Sequence, residues 1–290
     1  EAALYTTDLL CALAGLAPAG EPWPDRSAEL ESLWKRLLLN QFHDIVPGTA
    51  IEQAYADTRR DFAAIDRGCA ELREAAAARL LPPVCRSPGP ARTVFNPLPW
   101  DRDVTVRLAS PMPAALTDAS GTPLPTQTVR DAGGMAVLCA VRVPALGSAT
   151  LLASARQPPR TRRPAGSRAP DVLDGPHVRL RFDAAGAITS LLDKARLREV
   201  AIAGRRLNEF QAFRDEPRHW EAWDIDPDYE RKAVDLFGPA TIRIVERGPL
   251  RWRARVAWGG RSPTRIEQDV LLHSDSPRID FVTRVAWHER

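Results

Sequence analysis

Four polar residues crowd the end of an otherwise apolar segment. Asn40, Gln41, His43 and Asp44 follow Leu37-Leu38-Leu39, and Ile45-Val46-Pro47-Gly48-Thr49 closes the stretch. Proline presets its own φ and glycine tolerates a left-handed turn, so Pro47-Gly48 is expected to hold the polar run rigidly. A neutral imidazole is a common metal ligand, and a carboxylate beside it can contact the metal, orient the ring or bind a substrate hydroxyl. The same residues have a structural reading: a His near a helix C-terminus suits the helix dipole, and an Asp can cap the following turn. One imidazole does not make a zinc site, which takes three or four protein ligands. Spacing alone leaves both readings open.

A second concentration of chemistry runs from Asp215 to Asp224, where Trp220 and Trp223 lie among Asp215, Glu216, Glu221 and Asp224. Aromatic rings offer flat apolar faces to a sugar and carboxylates accept its hydroxyl hydrogens. The alternative is that the two Trp anchor a long loop on a sheet while the carboxylates pair with Arg214 or Arg218. His177, His219, His273 and His288 show no partner spacing and read as ordinary loop or surface residues.

The elements that must position these residues change character near residue 90. Up to there the chain is rich in Ala, Leu and Glu and reads as three helices. The first covers roughly 1–15 and ends at Gly15. The second starts after Asp25 or Ser27 and carries Leu30, Leu33, Trp34, Leu37 and Leu38 at steps of three and four. The third starts at Thr49, where Thr49 and Glu52 have capping-box spacing. Its apolar stripe runs Ile51, Tyr55, Thr58, Phe62, Ile65, Cys69, Leu72, Ala76 and Leu80, up to the stop at Pro82-Pro83. A three-helix bundle follows from this stripe. Glu71 and Glu74 fall on its solvated face.

From Arg92 the period becomes two. Val104, Val106 and Leu108 alternate with Thr105 and Arg107, and Val178, Leu180 and Phe182 with Arg179 and Arg181. Trp252, Ala254, Val256 and Trp258 alternate with Arg251, Arg253, Arg255 and Ala257. Each predicts a strand with one buried and one wet face, as antiparallel sheets require. Turn signals at Asp183–Gly186, Gly147-Ser148 and Gly259-Gly260 separate the strands. Trp252, Trp258 and Trp287 are expected in a sandwich core. The Pro- and Arg-rich stretch 158–170 divides a smaller β unit from a larger one. The final strand, Arg278–Trp287, reaches the chain end, so the second β unit reads as truncated.

Composition narrows the class. The 290 residues suit about two domains, and 44% apolar with 27% charged residues is ordinary globular chemistry. No apolar run approaches the roughly 18 residues of a membrane-spanning helix. The net charge of +3 comes from 40 basic against 37 acidic residues, of which only Lys35, Lys194 and Lys232 are lysines. The five Arg from Arg156 to Arg168 read as a solvated loop rather than an anion site, so nucleic acid is not an expected partner. Cys11, Cys69, Cys85 and Cys139 are widely spaced, suiting free thiols in a reducing cytoplasm. The chain opens at Glu1, inside a helix pattern and without Met or leader, and is expected to be a piece of a longer protein.

The stretch from Trp34-Lys35 to Gly48-Thr49 (WKRLLLNQFHDIVPGT) resembles the middle-domain signature of glycoside hydrolase family 38 α-mannosidases. The likeness continues through Phe95–Trp100 (FNPLPW), Gly186–Leu191 (GAITSL), Asp215–Asp224 (DEPRHWEAWD) and Arg278–Arg290 (RIDFVTRVAWHER). The QFHD form, with Phe42 before the His, is similar to the bacterial and cytosolic branch.

This resemblance implies an α + β multi-domain chain. Residues 1–90 would form the three-helix middle domain, 91–165 a small β domain, and 166–290 the first part of a galactose mutarotase-like antiparallel β-sandwich. The resemblance further implies that the catalytic α/β barrel, which in the family carries the nucleophile, the acid/base and most metal ligands, would be missing from this chain. It also implies a retaining exo-α-mannosidase acting on terminal α-mannosyl residues of glycans or oligosaccharides. His43 maps onto a ligand of one divalent metal, zinc or cobalt, and Asp44 onto a residue binding hydroxyls of the mannose cleaved. Asp215, Trp220, Trp223 and Asp224 are candidates for the pocket rim. Expected partners are an α-mannoside, the protein's own N-terminal catalytic domain and further copies of itself, in the cytoplasm and without membrane. Residues 1–290 alone are expected to be inactive. The other reading is a non-catalytic helical and β module that binds carbohydrate or protein.

Overall fold

The computed structural model describes residues 1–17, 22–81, 90–109, 111–131, 133–154, 169–220, 223–260 and 262–289. Cys85, Pro82-Pro83, Glu221 and the Arg156–Arg168 run lie outside them. The chain divides into two compact units, one holding residues 1–102, 143–150 and 217–225, the other 103–142, 151–216 and 226–290.

The first unit is built on three helices, α1 (Ala2–Leu16), α2 (Ser27–Leu39) and α3 (Glu52–Leu80). Their shared core contains Leu4, Cys11, Leu30, Leu33, Leu37, Ile65, Cys69 and Leu72, as the three- and four-residue spacing predicts. Ile51 and Phe62, expected in the α3 stripe, are instead exposed. The expected capping box also fails: α3 begins at Glu52, so Thr49 lies outside it and donates to the Asp44 carbonyl instead. Arg79 donates to the carbonyls of Ala14 at 2.8 Å and Ala17 at 3.2 Å, placing a cation on the negative end of α1.

The same unit explains the FNPLPW motif. Asn96 is buried, and its amide nitrogen donates to the carbonyls of Trp100 at 2.7 Å and Pro144 at 3.0 Å while its oxygen accepts from Leu98 N–H at 3.2 Å. One side chain thus ties together two neighbouring turns whose prolines, Pro97, Pro99 and Pro144, have no backbone donor of their own.

The strands in chain order are β1 (Ala91–Phe95), β2 (Arg102–Ala109), β3 (Leu116–Thr117), β4 (Thr126–Asp131), β5 (Gly134–Val143), β6 (Ser148–Ala153), β7 (Val172–Asp174) and β8 (Val178–Phe182). They continue as β9 (Ile188–Asp193), β10 (Arg198–Glu199), β11 (Ala212–Phe213), β12 (Ala233–Val234), β13 (Thr241–Arg247), β14 (Arg251–Trp258), β15 (Arg265–His273) and β16 (Ile279–Ala286). In the second unit, an antiparallel sheet ordered β10-β9-β8-β7 faces one ordered β13-β14-β15-β16. They share a core in which Leu173, Val178, Leu180, Phe182 and Ile188 meet Trp252, Val256, Trp258, Val270 and Leu272. This is the expected sandwich. Gly186 at φ +83° turns β8 into β9, and a Cβ there would meet Trp258 Cζ2 at 2.7 Å, so glycine is needed twice over.

Two expectations fail in this unit. Trp287 is 59% exposed rather than in the core; it follows β16, which among the described strands pairs only with β15 and is itself largely exposed. Arg251 and Arg253 were expected on a wet face but are buried. The sheet β2-β5-β4 accounts for this: Gln127 of β4 accepts the N–H of Leu250 and Arg251, and Val129, Ala136 and Leu138 pack with Leu250. The guanidinium groups are paired where they are covered, Arg251 with Glu246 and Arg253 with Glu246 and Asp269.

Candidate functional site

The polar run after α2 is held at both ends. Leu37 is the last buried residue on the core face of α2, and Asn40 closes the helix. The Asn40 amide donates to Arg36 O at 2.8 Å and to Asp61 Oδ2 of α3 at 3.0 Å. Arg36 reaches the other Asp61 oxygen at 2.8 Å. The hydrogen bond from Asn40 holds the Asp61 carboxyl below the usual carboxylate range, despite the opposing effect of desolvation.

At the far end the chain turns through Gly48, φ +93°. Thr49 donates to the Asp44 carbonyl from both its N–H and its hydroxyl, each at 3.2 Å. The Tyr55 hydroxyl lies 3.4 Å from the carbonyls of Asp44 and Ile45 and accepts from Ala50 N–H at 3.1 Å. Between these anchors, Ile45 and Val46 N–H both return to the Phe42 carbonyl, at 2.9 and 3.1 Å. Asp61 and Tyr55 are positioning residues that the sequence pattern missed. Tyr55 was read only as part of the apolar stripe, and Asp61 lies one position before Phe62 with no signal of its own.

His43 and Asp44 project from this turn. His43 Nε2 is 3.6 Å from Asp44 Oδ1, with the two side chains 77% and 31% exposed. The Phe42 ring centroid lies 4.2 Å from that of the imidazole. An exposed imidazole beside a half-buried carboxylate can give one nitrogen donor and one oxygen acceptor to a bound group. Among the described residues, no three His, Cys, Asp or Glu side chains converge as a metal shell. The pair therefore fits one or two places in a shell that needs donors from elsewhere, not a complete tetrahedral site.

Trp220, Trp223 and Asp224 belong to the same compact unit as His43 and Asp44, whereas Asp215 falls in the other. Trp220 and Trp223 are 77% and 68% exposed, so neither indole is an anchor buried on a sheet. The Trp220 carbonyl accepts from the N–H of Trp223 at 2.7 Å and Asp224 at 3.0 Å, and Trp220 itself has φ +60°. Left-handed backbone is costly for a large side chain and is kept where surroundings or function demand it.

The remaining histidines are tied to local structure or exposed. His177 Nε2 meets Ser274 O at 2.9 Å, His273 Nε2 meets Asp280 at 2.9 Å, and His219 is exposed. His288 donates its N–H to Thr264 Oγ1 at 3.1 Å. Cys11, Cys69 and Cys139 are buried free thiols, and burial pushes Cys139 up to about 11. No helix among the described residues is long and apolar enough to cross a membrane.

Comparison with known proteins adds a family context. The family profile for the alpha mannosidase middle domain matches residues 1–80, and that for the glycosyl hydrolases family 38 C-terminal domain matches residues 173–290. The chain is 31% identical to Alpha-mannosidase 2C1 of Homo sapiens and 32% to that of Mus musculus, each match covering 100% of the chain and 26% of the relative. It is 24% identical to Alpha-mannosidase G of Dictyostelium discoideum, over 100% of the chain and 29% of the relative. The chain thus spans about a quarter of the length of these curated relatives. A crystal structure of a family 38 glycosyl hydrolase protein from Enterococcus faecalis superposes with a TM-score of 0.65 at 14% identity, over 97% of this chain and 43% of that one. An alpha-mannosidase structure from the same species gives 0.64 at 13%, over 96% and 39%. These two likenesses show a shared fold.

Proposed function

This chain belongs to glycosyl hydrolase family 38, and from that premise we propose that it forms the helical middle and β portions of a retaining, metal-dependent exo-α-mannosidase acting on terminal α-mannosyl residues of glycans or oligosaccharides. The observation that carries this reading is the exposed His43–Asp44 pair on a turn braced from both flanks by Asn40–Asp61 and Tyr55. A turn that only linked two helices would not need such bracing, whereas a ligand held for an outside partner would.

In this reading His43 gives one nitrogen to a divalent cation, zinc or cobalt, whose other donors lie outside residues 1–290. When bound, such a cation supplies Lewis-acid polarisation and a template for vicinal sugar hydroxyls. Asp44 accepts hydrogen bonds from hydroxyls of the mannose being cleaved. Trp220, Trp223, Asp215 and Asp224 contribute to the pocket rim, the indoles as stacking faces and the carboxylates as hydroxyl acceptors. None of residues 1–290 is assigned as nucleophile or acid/base, the two carboxyl roles of a retaining glycosidase. We place the helical domain at 1–90, the small β domain at 91–165 and the mutarotase-like domain at 166–290. The partners are an α-mannoside, the protein's own N-terminal catalytic domain and copies of itself, in the cytoplasm.

Replacing His43 by Ala in the intact protein tests the reading. Metal content and α-mannosidase activity should fall together, while Asp44→Ala should keep the metal and lose activity. Full metal content in the His43→Ala protein would remove the ligand assignment and favour a non-catalytic module.

A further inference from the structure

The second compact unit contains a cleft of about 730 Å³ between the paired strands β11 and β12, the β8–β9 turn and the end of β14. Its walls carry five aromatic residues, Phe210, Phe213, Tyr229, Phe237 and Trp258. Two perpendicular pairs organise them: Phe210 against Trp258 at 4.9 Å and 69°, and Phe213 against Tyr229 at 5.1 Å and 75°. In such edge-to-face pairs the ring that receives an edge is fixed in orientation, which preorganises the remaining aromatic surface. The cleft volume lies inside the roughly 300–1,000 Å³ of small-molecule sites.

The polar lining is one-sided. Asn208, Gln211, Glu209, Glu230 and Asp235 supply amides and carboxylates, and among the described residues none of the lining is Lys, Arg or His. An anionic ligand would meet carboxylates in this lining and no basic side chain among its described residues. A ligand rich in hydroxyl donors with apolar C–H faces matches both wall types. The carboxylates also have partners already: Glu209 pairs with Arg206 at 3.1 Å, and Tyr229 donates to Glu230 at 3.5 Å. That leaves them acceptors for hydroxyl groups more than bare charges awaiting a cation.

We propose that this cleft binds a neutral pyranose unit of a glycan, through contacts that do not involve His43 or Asp44. The aromatic rings take the C–H face of the sugar and the rim amides and carboxylates take its hydroxyls. No glycosidase chemistry is required, and only the choice of an α-mannoside as probe is borrowed from the functional reading above.

The test is saturation-transfer NMR with methyl α-mannopyranoside on the intact protein carrying His43→Ala. Sugar contact should persist in that background. It should weaken about fivefold to tenfold on adding Phe213→Ala, the loss of one ring face. Should Phe213→Ala disturb folding, Ala233→Trp provides a second variant: it fills the mouth from an exposed position and should abolish contact. The proposal is overturned by absence of sugar contact in the His43→Ala protein, or by undiminished contact in Ala233→Trp. Binding of tetramethylammonium without sugar contact also overturns it, because rings and carboxylates would then be serving a cation. Loss of activity in His43→Ala with retained sugar contact separates this inference from the metal assignment.

Discussion

Arg251 meets Glu246 with two prongs, Nε at 2.7 Å and Nη2 at 2.9 Å from the two carboxylate oxygens, with the side chains 10% and 9% exposed. The same Glu246 accepts Arg253 at 2.8 Å, and Arg253 continues to Asp269 at 3.3 Å. Asp269 is also gripped by Arg255 at 2.8 and 3.0 Å. The covered face of β14 is therefore a chain of alternating charges rather than an apolar surface. Removing one member leaves its neighbours buried and uncompensated.

Glu246→Ala should cost about 3–5 kcal/mol of folding stability, the usual cost of leaving a buried partner charge unpaired. Denaturant unfolding measures it. A loss below about 1 kcal/mol would mean that water reaches the two guanidinium groups.

Acid should weaken the same region. Burial pushes the Asp269 carboxyl up, but the hydrogen bond from Arg255 and the charges of Arg253, Arg255 and Arg284 outweigh it and hold the group below its ordinary range. The hydrogen bond from Arg107 does the same for Asp131. A depressed folded-state value means stability that is present above the unfolded value, about 3.9 for Asp, and is lost as pH falls through the folded one. Thermal unfolding between pH 6 and 2 should show Tm dropping below about pH 4. Asp269→Asn should start lower and show a shallower drop; an equal slope would contradict the assignment.

Tyr55→Phe should loosen the turn that carries His43 and Asp44 while leaving α3 intact. The expected stability loss is about 1 kcal/mol. Metal affinity and kcat in the intact protein should fall further, about tenfold, as is typical of groups that orient a site. Unchanged metal affinity with reduced stability would make Tyr55 a purely structural residue.

Trp220→Gly separates a sugar platform from a structural anchor. Relief of about 1–2 kcal/mol of left-handed strain should offset the roughly 0.5–1 kcal/mol entropy cost of glycine. Tm should therefore hold or rise slightly, while kcat/KM on an α-mannoside falls about tenfold if the indole stacks on substrate. A large drop in Tm would show that the ring supports the fold.

Much of the architecture was legible in the chain because periodicity reports burial directly. Leu30, Leu33 and Leu37 at helical spacing, and Val178, Leu180 and Phe182 at strand spacing, are all buried as their pattern required. The pattern misled where burial depends on a partner from distant sequence. Arg251 and Arg253 look like a solvated face until β4 covers them, Gln127 meeting the Arg251 backbone and the Arg130 carbonyl accepting from the Arg253 guanidinium. Trp287 looks like core until β16 proves, among the described strands, to be paired on one side only. The capping box failed for a local reason: Thr49 is recruited by the Asp44 carbonyl, so α3 starts three residues later at Glu52.

By itself the sequence determined the element types, the break near residue 90, and the motif that singles out His43 and Asp44, since each is set by residue type and spacing along one segment. Only the tertiary structure decided how that pair is braced, because Asp61 and Tyr55 come to the turn from another helix. It alone revealed the charged ladder under β4 and the aromatic cleft beside β14. Their members are scattered over many elements, and one-dimensional spacing carries no record of which surfaces meet.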